Sequence, residues 1–177
     1  MIKKELISTV EELYHLQNCQ LAMGEYYQQL AEQFPNEQLF WEEAISDEVN
    51  FARATGRLIA LMTSNPQSYG PGKYRVAVLE TFLSGIYEQI EHLNKNALSH
   101  QEALKIAYDY EDSAILSKPY EIVNSLDPKF RDFRKRFSDD VAIHHDRIRQ
   151  YISQKLGIQN NTGKLKLRPT GAIPTDR

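Results

Sequence analysis

The spacing of apolar residues constrains this chain more than any other feature. From the N-terminus, apolar side chains recur at steps of three and four, which is the period of one face of an α-helix. The same period returns in four further segments, and no segment alternates convincingly at the two-residue period of a strand. The sequence therefore predicts an all-α fold.

Prolines and short polar motifs mark where these helices begin and end. The first helix ends near Pro35 and the second before Asn65–Pro66, where NPQSYGPG is the clearest loop in the chain. Ser99–Glu102 (SHQE) has the form of a capping box and opens a fourth helix, which Pro119 ends or kinks. Asp127–Pro128 supplies a cap for the last helix. The inward residues expected of the third helix are Val78, Phe82, Ile86, Ile90 and Leu93.

The chain also carries a weak internal repeat. Phe40 and Phe133 have the same separation as Pro35 and Pro128, so each half consists of a helix, a proline-marked turn and a second helix. Two helix pairs joined by a long connection with a helix of its own predict a four-helix bundle with an additional helix in the crossover connection. We expect residues 1–156 to form this domain and residues 157–177 to be a flexible basic tail.

Composition argues against several classes of protein. A net charge of −3 does not favour nucleic acid or an anionic membrane as a partner. The single cysteine, Cys19, excludes an intramolecular disulfide and any cysteine-based metal knuckle. Glutamates come too early in the N-terminal segment for a signal peptide, and no apolar run approaches the roughly 20 residues that cross a bilayer. We therefore expect a soluble, cytoplasmic protein.

Each predicted helix has a stripe of apolar residues along its inward face. Four of these stripes carry a polar residue at the same height in the bundle, where an apolar one is expected. The first stripe offers Gln20, the second Glu48, the fourth Glu111 and the last His144. A carboxylate inside a bundle costs several kcal/mol unless it is paired, protonated or bound to a metal ion. Di-iron carboxylate bundles use glutamate and histidine three residues apart on a helix, but Phe51 stands three residues after Glu48.

In these segments the chain resembles the rubrerythrin-like branch of the ferritin-like superfamily. The stretches that carry the resemblance are EYYQQLAEQFPNEQLFWEEAISDEVNFARATGRL in the first half, and LSHQEALKIAYDYEDSAI and LDPKFRDFRKRFSDDVAIHHDRI in the second. The resemblance covers nearly everything from residue 6 to residue 155. It implies a ferritin-like bundle, although the cysteine-rich tail of the rubrerythrins is absent.

The resemblance also implies a metal centre that has lost half of its ligands. The family's ligand positions fall on Gln20, Glu48, Phe51, Glu111, Val141 and His144. Only Glu48, Glu111 and His144 keep ligand side chains, and all three would serve the same ion. The resemblance thus implies a degraded di-iron centre with at most one iron or other divalent metal ion, and it argues against di-iron peroxidase or ferroxidase chemistry.

Two functions from different classes are open at this level. The first is a non-haem metal protein, an oxidoreductase if active, with a role in metal or oxidative-stress handling. The second is a metal-free helical bundle with a structural or regulatory role, in which the four buried polar side chains bond to one another around a protonated His144. By family analogy we expect a homodimer, and Tyr26 and Tyr27 are candidates for its seam.

Overall fold

The computed structural model describes residues 3–72 and 74–158, and it is mostly helical, as the periodicity predicts. The helices are α1 (Lys3–Gln33), α2 (Gln38–Ser64), α3 (Val76–Asn94), α4 (His100–Glu111), α5 (Ala114–Ser117) and α6 (Pro128–Lys155). The strands are β1 (Tyr69–Pro71) and β2 (Val123–Ser125). Apart from its first two residues, the expected tail 157–177 lies outside the described residues. Among the described helices, none combines the length and the apolar character needed to cross a membrane.

Helices α1 and α2 form a hairpin, with the short turn Pro35–Glu37 between them. Helix α3 lies along α1 and runs in the same direction. Cys19 Sγ of α1 donates to the Leu79 carbonyl of α3, and further along both helices Gln33 Nε2 donates to the Leu93 carbonyl. Helix α6 packs against both α2 and α4. The interior between α1, α2, α4 and α6 is therefore where the four predicted polar side chains point.

Tyr26 and Tyr27 belong to the core and do not line a surface. Both side chains are 0% exposed within a single chain. The Tyr26 hydroxyl donates to the Ala103 carbonyl at 2.9 Å, and the Tyr27 hydroxyl donates to the Glu111 carboxylate. The expectation that either tyrosine lies at a dimer seam is therefore wrong, since neither is accessible to a second copy.

The fourth helix ends earlier than predicted, at Glu111. The Ser113 hydroxyl accepts a hydrogen bond from the Leu116 backbone N–H at 3.3 Å and so caps the one-turn helix α5. A serine cap of this kind offers the backbone an alternative to continuing α4. As a result, Glu111 is the last residue of its helix rather than a mid-helix residue.

Two other details differ from the sequence-based expectation. Strands β1 and β2 pair antiparallel, with Tyr69 opposite Ser125 and Pro71 opposite Val123. Strands of three residues are too short to show an alternating pattern, so nothing in the sequence reveals this ribbon. In α3 the expected inward residue Val78 is 50% exposed, and its neighbour Leu79 is buried instead.

Glu37 ties three parts of the chain together at one end of the bundle. Its side chain is 5% exposed. Its Oε2 accepts from the Trp41 indole N–H at 3.3 Å and lies 3.1 Å from His100 Nε2, while its Oε1 lies 2.8 Å from Lys155 Nζ. Burial raises the pKa of Glu37, but the hydrogen bonds from Lys155 and His100 outweigh it and hold the pKa below its usual value. One carboxylate thus links the α1–α2 turn to the start of α4 and the end of α6.

We expect Glu37→Gln to lower the free energy of unfolding by about 1–3 kcal/mol at neutral pH, because the amide leaves its buried partners incompletely satisfied. The folded-state pKa of Glu37 lies below its unfolded value. Its contribution is therefore present above the unfolded pKa and is lost as the pH falls through the folded pKa. Denaturant unfolding of both proteins across this acidic range measures the difference. The exposed change Glu42→Gln is the control, and a Glu37→Gln effect no larger than the control's at any pH contradicts the prediction.

Candidate metal centre

The structure brings the three predicted ligand residues together inside the bundle. Glu48 comes from α2, Glu111 from the end of α4 and His144 from α6, and each is only 2% exposed. One ligand atom from each residue lies within 4.8 Å of the other two. Two carboxylates and an imidazole therefore converge in a space closed off from solvent.

The His144 ring is held between carboxylates on both of its nitrogens. Its Nε2 lies 3.2 Å from Glu111 Oε1 and 3.4 Å from Glu48 Oε1. Its Nδ1 lies 3.0 Å from Asp47 Oδ2 on the opposite side. Metal-binding histidines typically donate one ring N–H to a carboxylate and direct the other nitrogen at the ion. The ring therefore has the orientation of a ligand, with Nε2 facing the two glutamates.

Two residues that the sequence does not connect with the centre, Tyr27 and Asp47, complete its surroundings. The Tyr27 hydroxyl donates to Glu111 Oε1, and Asp47 Oδ2 also accepts from Arg147 Nη2 at 2.7 Å. Tyr27 lies on the stripe of Gln20, so its position is detectable in the sequence but its partner is not. Asp47 lies about 100° around α2 from Glu48, so its place in the sequence predicts a surface residue.

The buried charges shift one another's protonation. Burial raises the pKa of Glu48 to about 7, and the nearby charge of Glu111 acts in the same direction. Burial also raises the pKa of Glu111, but the positive His144 and the hydrogen bonds from His144 and Tyr27 outweigh it and hold that pKa below its usual value. Burial lowers the pKa of His144, but the charge of Glu111 and the bonds to three carboxylates outweigh it and hold the pKa of His144 well above its ordinary value. Without a metal ion, a charged His144 therefore faces an ionised Glu111.

One atom of this cluster is left unsatisfied by the protein. Glu48 Oε2 is buried and has no hydrogen-bond partner among the described residues. An unpaired buried carboxylate oxygen is costly, and a cation beside it would satisfy it. Carboxylate oxygens with one imidazole nitrogen form a donor set that suits divalent first-row metal ions. The residues present therefore fit one such ion.

The positions implied for a second metal ion carry no ligands. Gln20 is buried, and its Oε1 accepts from the Thr55 hydroxyl at 2.9 Å. Phe51, at the position where the resemblance implies a histidine, belongs to a separate small apolar cluster. The buried members of that cluster are Phe51, Ala54, Phe137 and Val141. Among the described residues, these positions therefore hold a neutral polar pair and apolar side chains, and none of them offers an anionic donor.

His145 neighbours the centre without joining it. It follows His144 directly in α6, and its side chain is 14% exposed. Its Nε2 lies 3.7 Å from Asp112 Oδ1. His145 and Asp112 therefore provide a histidine and an aspartate that match His144 and Asp47 in type but do not reach the three converging ligand atoms.

Comparison with known proteins adds no identification. The chain matches no model of a known protein family, and neither a curated protein nor a solved structure matches it. A function must therefore be argued from the side chains described above, and the resemblance to the rubrerythrin-like branch and the expected homodimer stay predictions.

For the protein kept free of metal by a chelator, we expect the stability of wild type to fall relative to Glu48→Gln as the pH rises through about 7. The folded-state pKa of Glu48 lies above its unfolded value, so folding requires burial of an ionised carboxylate at the higher pH. Denaturant unfolding at a series of pH values measures the difference, with Glu42→Gln as the exposed control. A gap that does not change with pH would show that Glu48 does not titrate in this range.

Proposed function

We propose that this protein binds one divalent first-row metal ion, such as iron, through Glu48, Glu111 and His144. The observation that carries the proposal is the convergence of three buried ligand atoms within 4.8 Å, beside a carboxylate oxygen that no described group satisfies. Its role would lie in metal or oxidative-stress handling, because such a donor set leaves positions open for water or a small oxidant.

The surrounding residues have distinct parts in this proposal. Asp47 fixes the ring of His144 by binding Nδ1, and Arg147 holds Asp47 in place. Tyr27 orients the Glu111 carboxylate through its hydroxyl. A bound redox-active ion would supply one-electron chemistry in a site whose burial excludes bulk water.

The proposal extends to a rubrerythrin-like origin with half of a di-iron centre lost. It is supported by the order of the ligands along the chain and by their positions on α2, α4 and α6. Gln20, Phe51 and Val141 occupy the positions that the resemblance gives to the lost ligands. A ferritin-like fold, a cytoplasmic location and a homodimer are parts of the same proposal.

The alternative is a metal-free bundle with a structural or regulatory role. It is favoured by one observation, the carboxylates on both sides of the His144 ring. A doubly protonated imidazole can donate to both sides and so balance much of the buried charge without a metal ion. The two candidates differ in one measurable property, the metal content of the protein.

We expect wild type, purified without chelator and loaded with Fe²⁺ or Mn²⁺ under anaerobic conditions, to hold close to one ion per chain. His144→Ala removes the only nitrogen ligand and should lose that ion, whereas His145→Ala should retain it. Elemental analysis after gel filtration measures the stoichiometry, and circular dichroism checks that both variants are folded. Equal, substoichiometric metal in wild type and both variants contradicts the proposal and supports the metal-free alternative.

Loss of the carboxylate behind the histidine should weaken metal binding without abolishing it. We expect Asp47→Ala to lower the affinity for Fe²⁺ or Mn²⁺ by roughly 10- to 100-fold, because outer carboxylates orient a ligand histidine and raise its basicity. Competition with a chelator of known affinity measures the change. Asp112→Ala, which removes the carboxylate near His145, is the matched control, and equal affinities in the two variants contradict the role given to Asp47.

A further inference from the structure

A row of three aromatic rings, Tyr27, Trp41 and Tyr151, leads from the buried centre toward the surface. The ring of Tyr27, whose hydroxyl bonds to Glu111, stacks on Trp41 with centroids 5.3 Å apart and an interplanar angle of 19°. Trp41 in turn meets Tyr151 edge to face, with centroids 5.6 Å apart. Tyr27 and Trp41 are fully buried, whereas Tyr151 is half-buried at the end of α6. Three oxidisable side chains from three helices thus form a continuous path.

Each of these three side chains has a carboxylate placed to take its proton. The Tyr27 hydroxyl donates to Glu111 and the Trp41 indole N–H donates to Glu37 at 3.3 Å. Burial, with the Glu37 carboxylate beside the hydroxyl, raises the pKa of Tyr151 to about 12. Phenols and indoles lose a proton when one electron is removed, so a nearby base makes that oxidation easier. Aromatic packing alone does not require a carboxylate at each ring.

We propose that Tyr27, Trp41 and Tyr151 form a route for single electrons between the buried centre and the surface of the protein. The surface end is Tyr151, where a small or protein-borne one-electron carrier can approach. The ammonium group of Lys155, which also pairs with Glu37, lies 5.3 Å from the centre of the Tyr151 ring. Phe40 stacks on the Tyr151 ring at 3.6 Å and holds it in position without being oxidised itself.

Electrons and protons balance along this route. A one-electron oxidant takes an electron from Tyr151, whose hydroxyl proton passes to Glu37. Trp41 then reduces the Tyr151 radical, which recovers its proton from Glu37 while the indole proton passes to Glu37. Tyr27 finally reduces the Trp41 radical, which takes its proton back from Glu37, and the phenolic proton of Tyr27 passes to Glu111. In sum, the oxidant gains one electron, Tyr27 becomes a neutral radical and Glu111 is protonated.

The use of this route in the cell rests on the metal centre proposed above, since a redox-active ion bound there would exchange the electron at the buried end. The route itself is built from side chains of the chain alone. It can therefore be tested on metal-free protein, and its failure is distinguishable from the absence of a metal ion.

The test uses the full chain, kept metal-free by a chelator, with a ruthenium polypyridyl photo-oxidant attached to a cysteine at Gln154→Cys in a Cys19→Ala background. Gln154 is exposed and lies one helical turn from Tyr151. After a flash with a sacrificial electron acceptor, transient absorption follows the indole radical, and freeze-quench electron paramagnetic resonance follows the tyrosyl radical. The chain contains one tryptophan, so the indole signal reports on Trp41 alone.

We expect the indole radical to form after the flash and then to decay as a tyrosyl radical appears. Tyr151→Phe should suppress formation of the indole radical, and Tyr27→Phe should leave that radical long-lived. Trp41→Phe should abolish the tyrosyl radical at Tyr27, whereas Tyr69→Phe, a buried tyrosine outside the route, should change nothing. Each phenylalanine keeps an aromatic ring in place, so packing is retained while the easily oxidised group is removed.

Three results overturn the proposal. The first is absence of the indole radical although Tyr151 is oxidised. The second is formation of that radical at the same rate in Tyr151→Phe. The third is an unchanged lifetime of the indole radical in Tyr27→Phe, which would show that no electron passes between Tyr27 and Trp41.

Discussion

The interaction on which the interior of this protein depends is the enclosure of one histidine by carboxylates. His144 meets Glu48 and Glu111 at Nε2 in a space from which solvent is excluded, and it meets the partly exposed Asp47 at Nδ1. Ionised groups are tolerated in such a space only when their partners stand within reach. Helices α2, α4 and α6 must therefore adopt one relative rotation and one relative height. The Tyr27 hydroxyl on Glu111 extends the same requirement to α1.

The centre was predictable from the sequence to the extent that helical phase determines it. Glu48, Glu111 and His144 interrupt apolar stripes at corresponding levels, and the 3.6-residue period is enough to place them inside the bundle. The contribution of Asp47 was not predictable, because its bond to His144 depends on the neighbouring helix α6 and on side-chain torsions. The break after Glu111 leaves no periodic signal in the sequence, because a serine cap competes with helix continuation through a single local hydrogen bond. The β1–β2 ribbon is too short to leave a pattern.

The polar centre and the apolar cluster beside it form two halves, and each half is consistent in energy. Removing His144 would leave Glu48 and Glu111 as two buried carboxylates with no positive charge between them, so the three side chains are coupled. Phe51 and Val141, by contrast, pack with neighbouring apolar side chains in a cluster of their own. Neither half therefore leaves a charge facing hydrocarbon. The boundary between them runs beside His144, where the Phe51 ring stands perpendicular to the imidazole with centroids 5.4 Å apart.

The two buried carboxylate clusters are linked through aromatic rings rather than through charges. Glu111 binds Tyr27, Glu37 binds Trp41, and the two rings stack between them. Glu37 also contacts His100 and Lys155. The same carboxylate therefore links α4 and α6 at this end of the bundle and binds Trp41, the middle ring of the aromatic row. Stability and electron movement would thus depend on the same carboxylate. Substitutions that keep the ring but remove its oxidisable group separate these roles, since they leave Glu37 and its partners from α4 and α6 in place.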